Sequence, residues 1–159
     1  MVENYKIYLL TSEFHQICDW RSYKITTHGS RPVMILVIEE HNYPDCYCCI
    51  PISKDDDKNV KYKNLFDDPK KTDLVYPINI NKYDNYLLIQ NMFYVRKEFI
   101  GDPFKVNGKE IVVLNPKRKS EILKRVQKLD ILMNKGIISY VPREKVYDIQ
   151  ISYLASKKK

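Results

Sequence analysis

The run Gly29–Lys54 reads GSRPVMILVIEEHNYPDCYCCIPISK. Arg31-Pro32 precedes an unbroken apolar run, Val33–Ile38. A polar, proline-containing break follows, Glu39–Asp45. A second apolar run, Cys46–Ile50, then leads into Pro51-Ile52-Ser53-Lys54. Two such runs around a short polar break predict a β-hairpin whose strands are covered on both faces. The outer ends of a hairpin lie side by side. Pairing therefore brings the Arg31 guanidinium, the Ser53 hydroxyl and the Lys54 ammonium into one region. A cationic, hydroxyl-bearing site of that kind suits a phosphate.

The remaining composition sets limits on what the chain can be. Its 159 residues fit one domain, 1–159, with a core of ordinary size. Hydrophobic residues make up 44% and charged residues 30%, which places the chain among globular rather than disordered sequences. No apolar run approaches the roughly 20 residues that span a bilayer, and Met1–Tyr8 lacks a signal-peptide core. The expectation is a cytoplasmic protein with no membrane partner. The net charge of +7 and 13 tyrosines tilt the partner toward a polyanion, since cations meet phosphates and aromatic rings stack on bases. Of the four cysteines, Cys46, Cys48 and Cys49 crowd one strand. Cys48 and Cys49 point to opposite faces there, so buried thiols in a reducing compartment are expected, with no metal and no cofactor.

In chain order, Asn4–Leu10 reads as a strand. Thr11 or Ser12 caps a short helix, Glu13–Trp20, with Phe14, Ile17 and Cys18 inward and His15 exposed or at an edge. Arg21–Ser30 reads as a polar loop. His28 stands on it near the hairpin ends, and Gly29 permits a turn. The mixed-charge stretch after Lys54 reads as a long loop, with Asp55, Asp56 and Asp57 solvated. Asp73–Asn81 reads as an edge strand containing Pro77, and Tyr86–Val95 as one strand. Gly101-Asp102-Pro103 reads as a turn, and Asn107-Gly108 as the turn of a hairpin. Asn115 and Pro116 then open a helix. Ile122, Val126, Leu129 and Met133 recur at helical spacing, and Gly136 ends it. Lys117, Arg118, Lys119, Lys124, Arg125 and Lys128 lie on its other faces, against only Glu121 and Asp130. An anion-facing surface is expected there. Pro142–Ser156 fits either a helix or a strand.

The motif Gly29-Ser30-Arg31-Pro32-Val33, followed by a hairpin ending Pro51-Ile52-Ser53, resembles the MazF/PemK/Kid toxin superfamily. Tyr5-Lys6-Ile7-Tyr8 is similar to the opening strand of one branch, the type III toxins of the ToxN/AbiQ/CptN kind. Leu88–Val95, with Asn91-Met92 and Val95, is similar to that branch's N-M-x-x-V strand. The branch often shows a Thr-Ser pair before a Lys, whereas Ile52 leaves only Ser53 before Lys54 here. The resemblance implies an α+β fold, an SH3-type antiparallel β-barrel with added helices including a long C-terminal one. It implies a metal-independent endoribonuclease that leaves a 2′,3′-cyclic phosphate and a 5′-hydroxyl. Arg31 and Ser53 match the family's site positions. Lys54 adds charge, and His28, then Tyr8, are the candidates for general base. Tyr8 and Ser30 join Lys117, Lys124, Arg125 and Lys128 as expected RNA contacts. The implied partners are target mRNA and a small folded repeat RNA acting as antitoxin, in a closed protein–RNA hetero-oligomer. Two other classes stay open: a non-catalytic RNA-binding module, and a toxin of the same barrel that inhibits a protein.

Overall fold

A computed structural model describes residues 2–25, 31–53, 59–80 and 82–158. The hairpin forms as the sequence predicts. β2 (Val33–Leu36) pairs antiparallel with β3 (Cys46–Pro51), with Val33 opposite Pro51 and Leu36 opposite Cys48. β1 (Lys6–Leu10) runs along the other side of β2, with Tyr8 opposite Val33. Thr11 caps α1 (Ser12–Ile17) by accepting from the Phe14 N–H at 3.3 Å. Phe14 and Cys18 of this segment are fully buried.

Several segments differ from the sequence reading. The stretch after Lys54 is not all loop, because Asn59–Asp67 forms α2. Its Tyr62, Leu65 and Phe66 pack inward against Leu74, Val75 and Tyr86, and Lys63 pairs with Asp67 one turn on. The expected strand Tyr86–Val95 is two strands. β4 (Tyr76–Ile80) and β5 (Tyr83–Leu87) form a hairpin; a 3-10 turn, Ile89–Asn91, follows, and β6 (Phe93–Arg96) comes after it. β5 and β6 both flank β3, and the pairing register shifts by the three residues of the turn. The mostly apolar run, interrupted only at Gln90-Asn91, hid this break. Gly101-Asp102-Pro103 is not a turn but part of β7 (Ile100–Pro103), which pairs with β1. A Cβ at Gly101 would lie 2.8 Å from the Leu9 carbonyl oxygen, so the two strands meet this closely only at glycine. The Arg21–Ser30 region is not wholly polar in its packing, since Ile25 is buried. His15 is half-buried with both ring nitrogens shielded, rather than exposed.

The hairpin of β8 (Lys105–Val106) and β9 (Lys109–Glu110) turns at Asn107-Gly108, both at positive φ as that dipeptide favours. α3 spans Pro116–Asn134, with the Asn115 side chain accepting from the Lys117 and Arg118 N–H groups. At its end the Gly136 and Ile137 N–H groups donate to the Met133 and Leu132 carbonyls. Gly136 has φ +73°, so this is a Schellman stop. The ambiguous C-terminal segment is helical, α4 (Arg143–Lys157).

The main sheet is antiparallel, in the order β6-β3-β2-β1-β7, and curls into a half-barrel. Its two faces are separately packed. Ile7, Met34, Leu36, Cys48, Ile50 and Tyr94 face α3 through Ile122, Val126 and Leu129. Tyr8, Val33, Ile35, Cys49, Phe93 and Val95 face α1 and α4 through Phe14 and Val146. β4 is held to α3 by the Tyr76 hydroxyl, which donates to Glu121 at 2.5 Å. α4 lies against the β6 edge. There the buried Gln150 accepts from the Arg96 N–H at 2.8 Å and donates to the Tyr94 carbonyl at 3.0 Å. A helix side chain thus occupies backbone groups that another strand would need, and the sheet stays open on that side.

Candidate functional site

The hairpin register determines where the ends go. Val33 lies opposite Pro51, so Arg31 and Ser53 stand two residues further along, on adjoining strand ends and on the same face. That face carries Val33, Ile35 and Cys49, the side packed by α1 and α4. Arg31 is half-exposed. Ser53 is only 8% exposed. β5 adjoins the residues just after β3 through an isolated bridge between Ile52 and Leu87: the Ser53 N–H donates to the Tyr86 carbonyl at 2.9 Å, and the Tyr86 N–H donates to Ser53 Oγ at 2.8 Å. Tyr86 was not singled out from sequence. Only that bridge brings it here, and no short motif signals it.

Tyr8 shares the Arg31/Ser53 face, one row further in. Its hydroxyl accepts from the Glu3 N–H at 2.8 Å and its residue is buried. It therefore points back to the start of β1, away from the Arg31 row, which argues against a role as base. His28, Ser30 and Lys54 lie outside the described residues, as do Asp55, Asp56 and Asp57.

The cations of α3 divide into two kinds. Lys117 and Lys124 are exposed. Lys128 is exposed along its side chain but pairs with Asp73 at 2.5 Å. Arg125 is a packing residue. Its side chain is 13% exposed, its guanidinium lies 4.8 Å from the Tyr76 ring, and it donates to the Thr72 and Glu121 carbonyls. Asp73 comes from a 3-10 turn (Thr72–Leu74) and adds an acid that the helix sequence alone does not show. α3 covers the sheet face opposite to that of Arg31 and Ser53. The two groups of candidate residues are therefore not on one continuous surface patch.

The Cys46-Tyr47-Cys48-Cys49 run contains a C-x-x-C spacing, but on a strand its two ends point to opposite faces. All four thiols are free. Burial pushes Cys46 and Cys48 up to about 12 and Cys49 well above its ordinary value, so these thiols stay protonated and unreactive. Among the described residues no group of three His, Cys, Asp or Glu side chains is placed to hold a metal ion. Among them, too, no helix is long and apolar enough to cross a membrane. Comparison with protein-family models finds no match, and comparison with curated proteins finds none either.

Proposed function

We propose that this chain is a metal-independent endoribonuclease of the type III toxin kind, with a small folded RNA as its inhibitor. The observation that carries the reading is the β2–β3 register, which sets Arg31 and Ser53 side by side at one hairpin end. RNA brings its own nucleophile. The 2′-oxygen attacks phosphorus and gives its proton to a base, for which His28 is the candidate. The bond from phosphorus to the 5′-oxygen breaks, and that oxygen takes up a proton. The products are a 2′,3′-cyclic phosphate and a 5′-hydroxyl. Arg31 supplies a planar fork for the non-bridging oxygens, and the Ser53 O–H is a second donor to the charge that builds there. Lys54 adds a third.

A second reading, a non-catalytic RNA-binding module, is favoured by the burial of Ser53 and its bond to the Tyr86 N–H. One experiment separates the two. Wild-type protein is incubated with single-stranded RNA in excess chelator, beside Arg31→Ala. The nuclease reading expects 2′,3′-cyclic ends from the wild type and a loss of about two to three decades in the variant. Bound but intact RNA supports the binding module. Cleavage that needs magnesium overturns metal independence.

A further inference from the structure

A cavity of about 380 Å³ lies between α2, the Thr72–Leu74 turn, α3 and the loop from α3 to α4. Leu65, Leu74, Leu129, Leu132 and Ile138 are its aliphatic lining. Lys61, Lys70, Lys71 and Lys128 stand around it, with Asp73 as the one acid. Asp73 pairs with Lys128, so Lys61, Lys70 and Lys71 give the rim its net charge. Tyr140 lines the cavity while remaining 42% exposed, and Gln90 supplies the one amide side chain among the lining residues. None of these residues belongs to the Arg31/Ser53 site.

We infer that this cavity takes one unstacked base of a single-stranded RNA, with its neighbouring phosphates on Lys61, Lys70 and Lys71. This rests on the reading of RNA as the partner and adds a place where a base is held. The chemistry selects that ligand. An aliphatic lining with an exposed tyrosine ring suits a flat aromatic group that stacks. An amide can donate to and accept from a base edge. Lysines supplied both by α2 and by the segment that follows it suit an anion that extends beyond the cavity, as a nucleic-acid backbone does. The volume falls within the range of small-ligand pockets and is too small for a paired helix to enter. An unpaired strand can turn a single base out, and recognition of splayed bases on aromatic side chains is the usual mode for single-stranded RNA.

The test uses the full chain and an unstructured 2′-O-methyl RNA of mixed sequence carrying 2-aminopurine. This probe cannot be cleaved by its own 2′-oxygen. Wild-type binding should quench the fluorophore at one position of the strand. Tyr140→Ala should remove that quench and weaken binding by about tenfold, and Tyr140→Phe should restore both. Lys70→Glu with Lys71→Glu should flatten the salt dependence by about 1.4 in slope, for two lost phosphate contacts on a single strand. All three residues are exposed, so the core is untouched. If the wild type binds the probe and these variants keep its affinity, quench and slope, the cavity inference is wrong while RNA binding stands. If the wild type binds no RNA under low salt, both fall together.

Discussion

Ser53 has two parts to play, and they can be measured apart. Its Oγ is the acceptor for the buried Tyr86 N–H, so Ser53→Ala leaves that donor without a partner. The sequence reading, in which Ser53 is a site hydroxyl at the hairpin end beside Arg31, expects no cost to the fold. The structure predicts a loss of about 1–3 kcal/mol, the usual penalty for an unsatisfied buried donor. Ser53→Thr keeps the acceptor and should keep most of the stability. Urea unfolding of both variants checks this, and an unchanged midpoint for Ser53→Ala would show that the Tyr86 bond contributes nothing net. Any fall in cleavage by Ser53→Ala is then read only at temperatures where the variant is folded. Arg143 shows the same dependence of a polar residue on its surroundings. Its guanidinium donates to Asp130 at 2.7 Å and to Asn134 at 2.8 Å, beside the stacked rings of Tyr43 and Tyr94. A charge this buried is retained because its donors are met, and burial pushes the Asp130 carboxyl above its ordinary value even so.

At the level of elements, local signals decided what could be read in advance. α3 was legible because Asn115, Pro116, the spacing of Ile122, Val126 and Leu129, and Gly136 all name the same helix. The β2–β3 hairpin was legible for a similar reason, two apolar runs around a polar break. α2 was not, because charged residues on its outer side mask the inward Tyr62, Leu65 and Phe66. The division between β5 and β6 was invisible because Leu87–Val95 is apolar throughout, except at Gln90 and Asn91, and the break is set by which neighbour β3 offers. Gln150 is the clearest case. At the sequence level it is one polar residue in an ambiguous segment. In the fold it closes the β6 edge by satisfying Arg96 and Tyr94 backbone groups. Gln150→Leu keeps similar bulk but leaves an N–H and a C=O unmet. The expected cost is about 2–4 kcal/mol, near the sum of two modest penalties. Hydrogen exchange at Arg96 should speed up more than exchange in β2. Equal protection in the wild type and Gln150→Leu would mean that water or a shifted α4 replaces the amide without loss.

Across the whole molecule, the sheet separates the two surfaces that the sequence suggests as one RNA path. Arg31 and Ser53 share the face packed by α1 and α4, while α3 covers the other. A strand of RNA reaching both must pass around the end of β3, where the β4–β5 hairpin adjoins it. The helix itself offers fewer available cations than its sequence suggests, since Arg125 is packed on Tyr76 and Lys128 is paired with Asp73. Lys117 and Lys124 remain on its exposed side. Lys117→Glu with Lys124→Glu should therefore weaken binding of a long folded RNA and lower its salt slope by about two, one released counterion for each lost contact. Cleavage of a short unstructured oligonucleotide should be nearly unchanged. Adding Arg125→Glu should do something different in kind: it removes the ring contact and the bonds to Thr72 and Glu121, so it should lower the unfolding midpoint. The slope and the midpoint thus report on different residues of one helix face. If the double variant leaves the slope of the long RNA at the wild-type value, Lys117 and Lys124 carry no phosphate contacts. An RNA that still binds is then held away from Lys117 and Lys124.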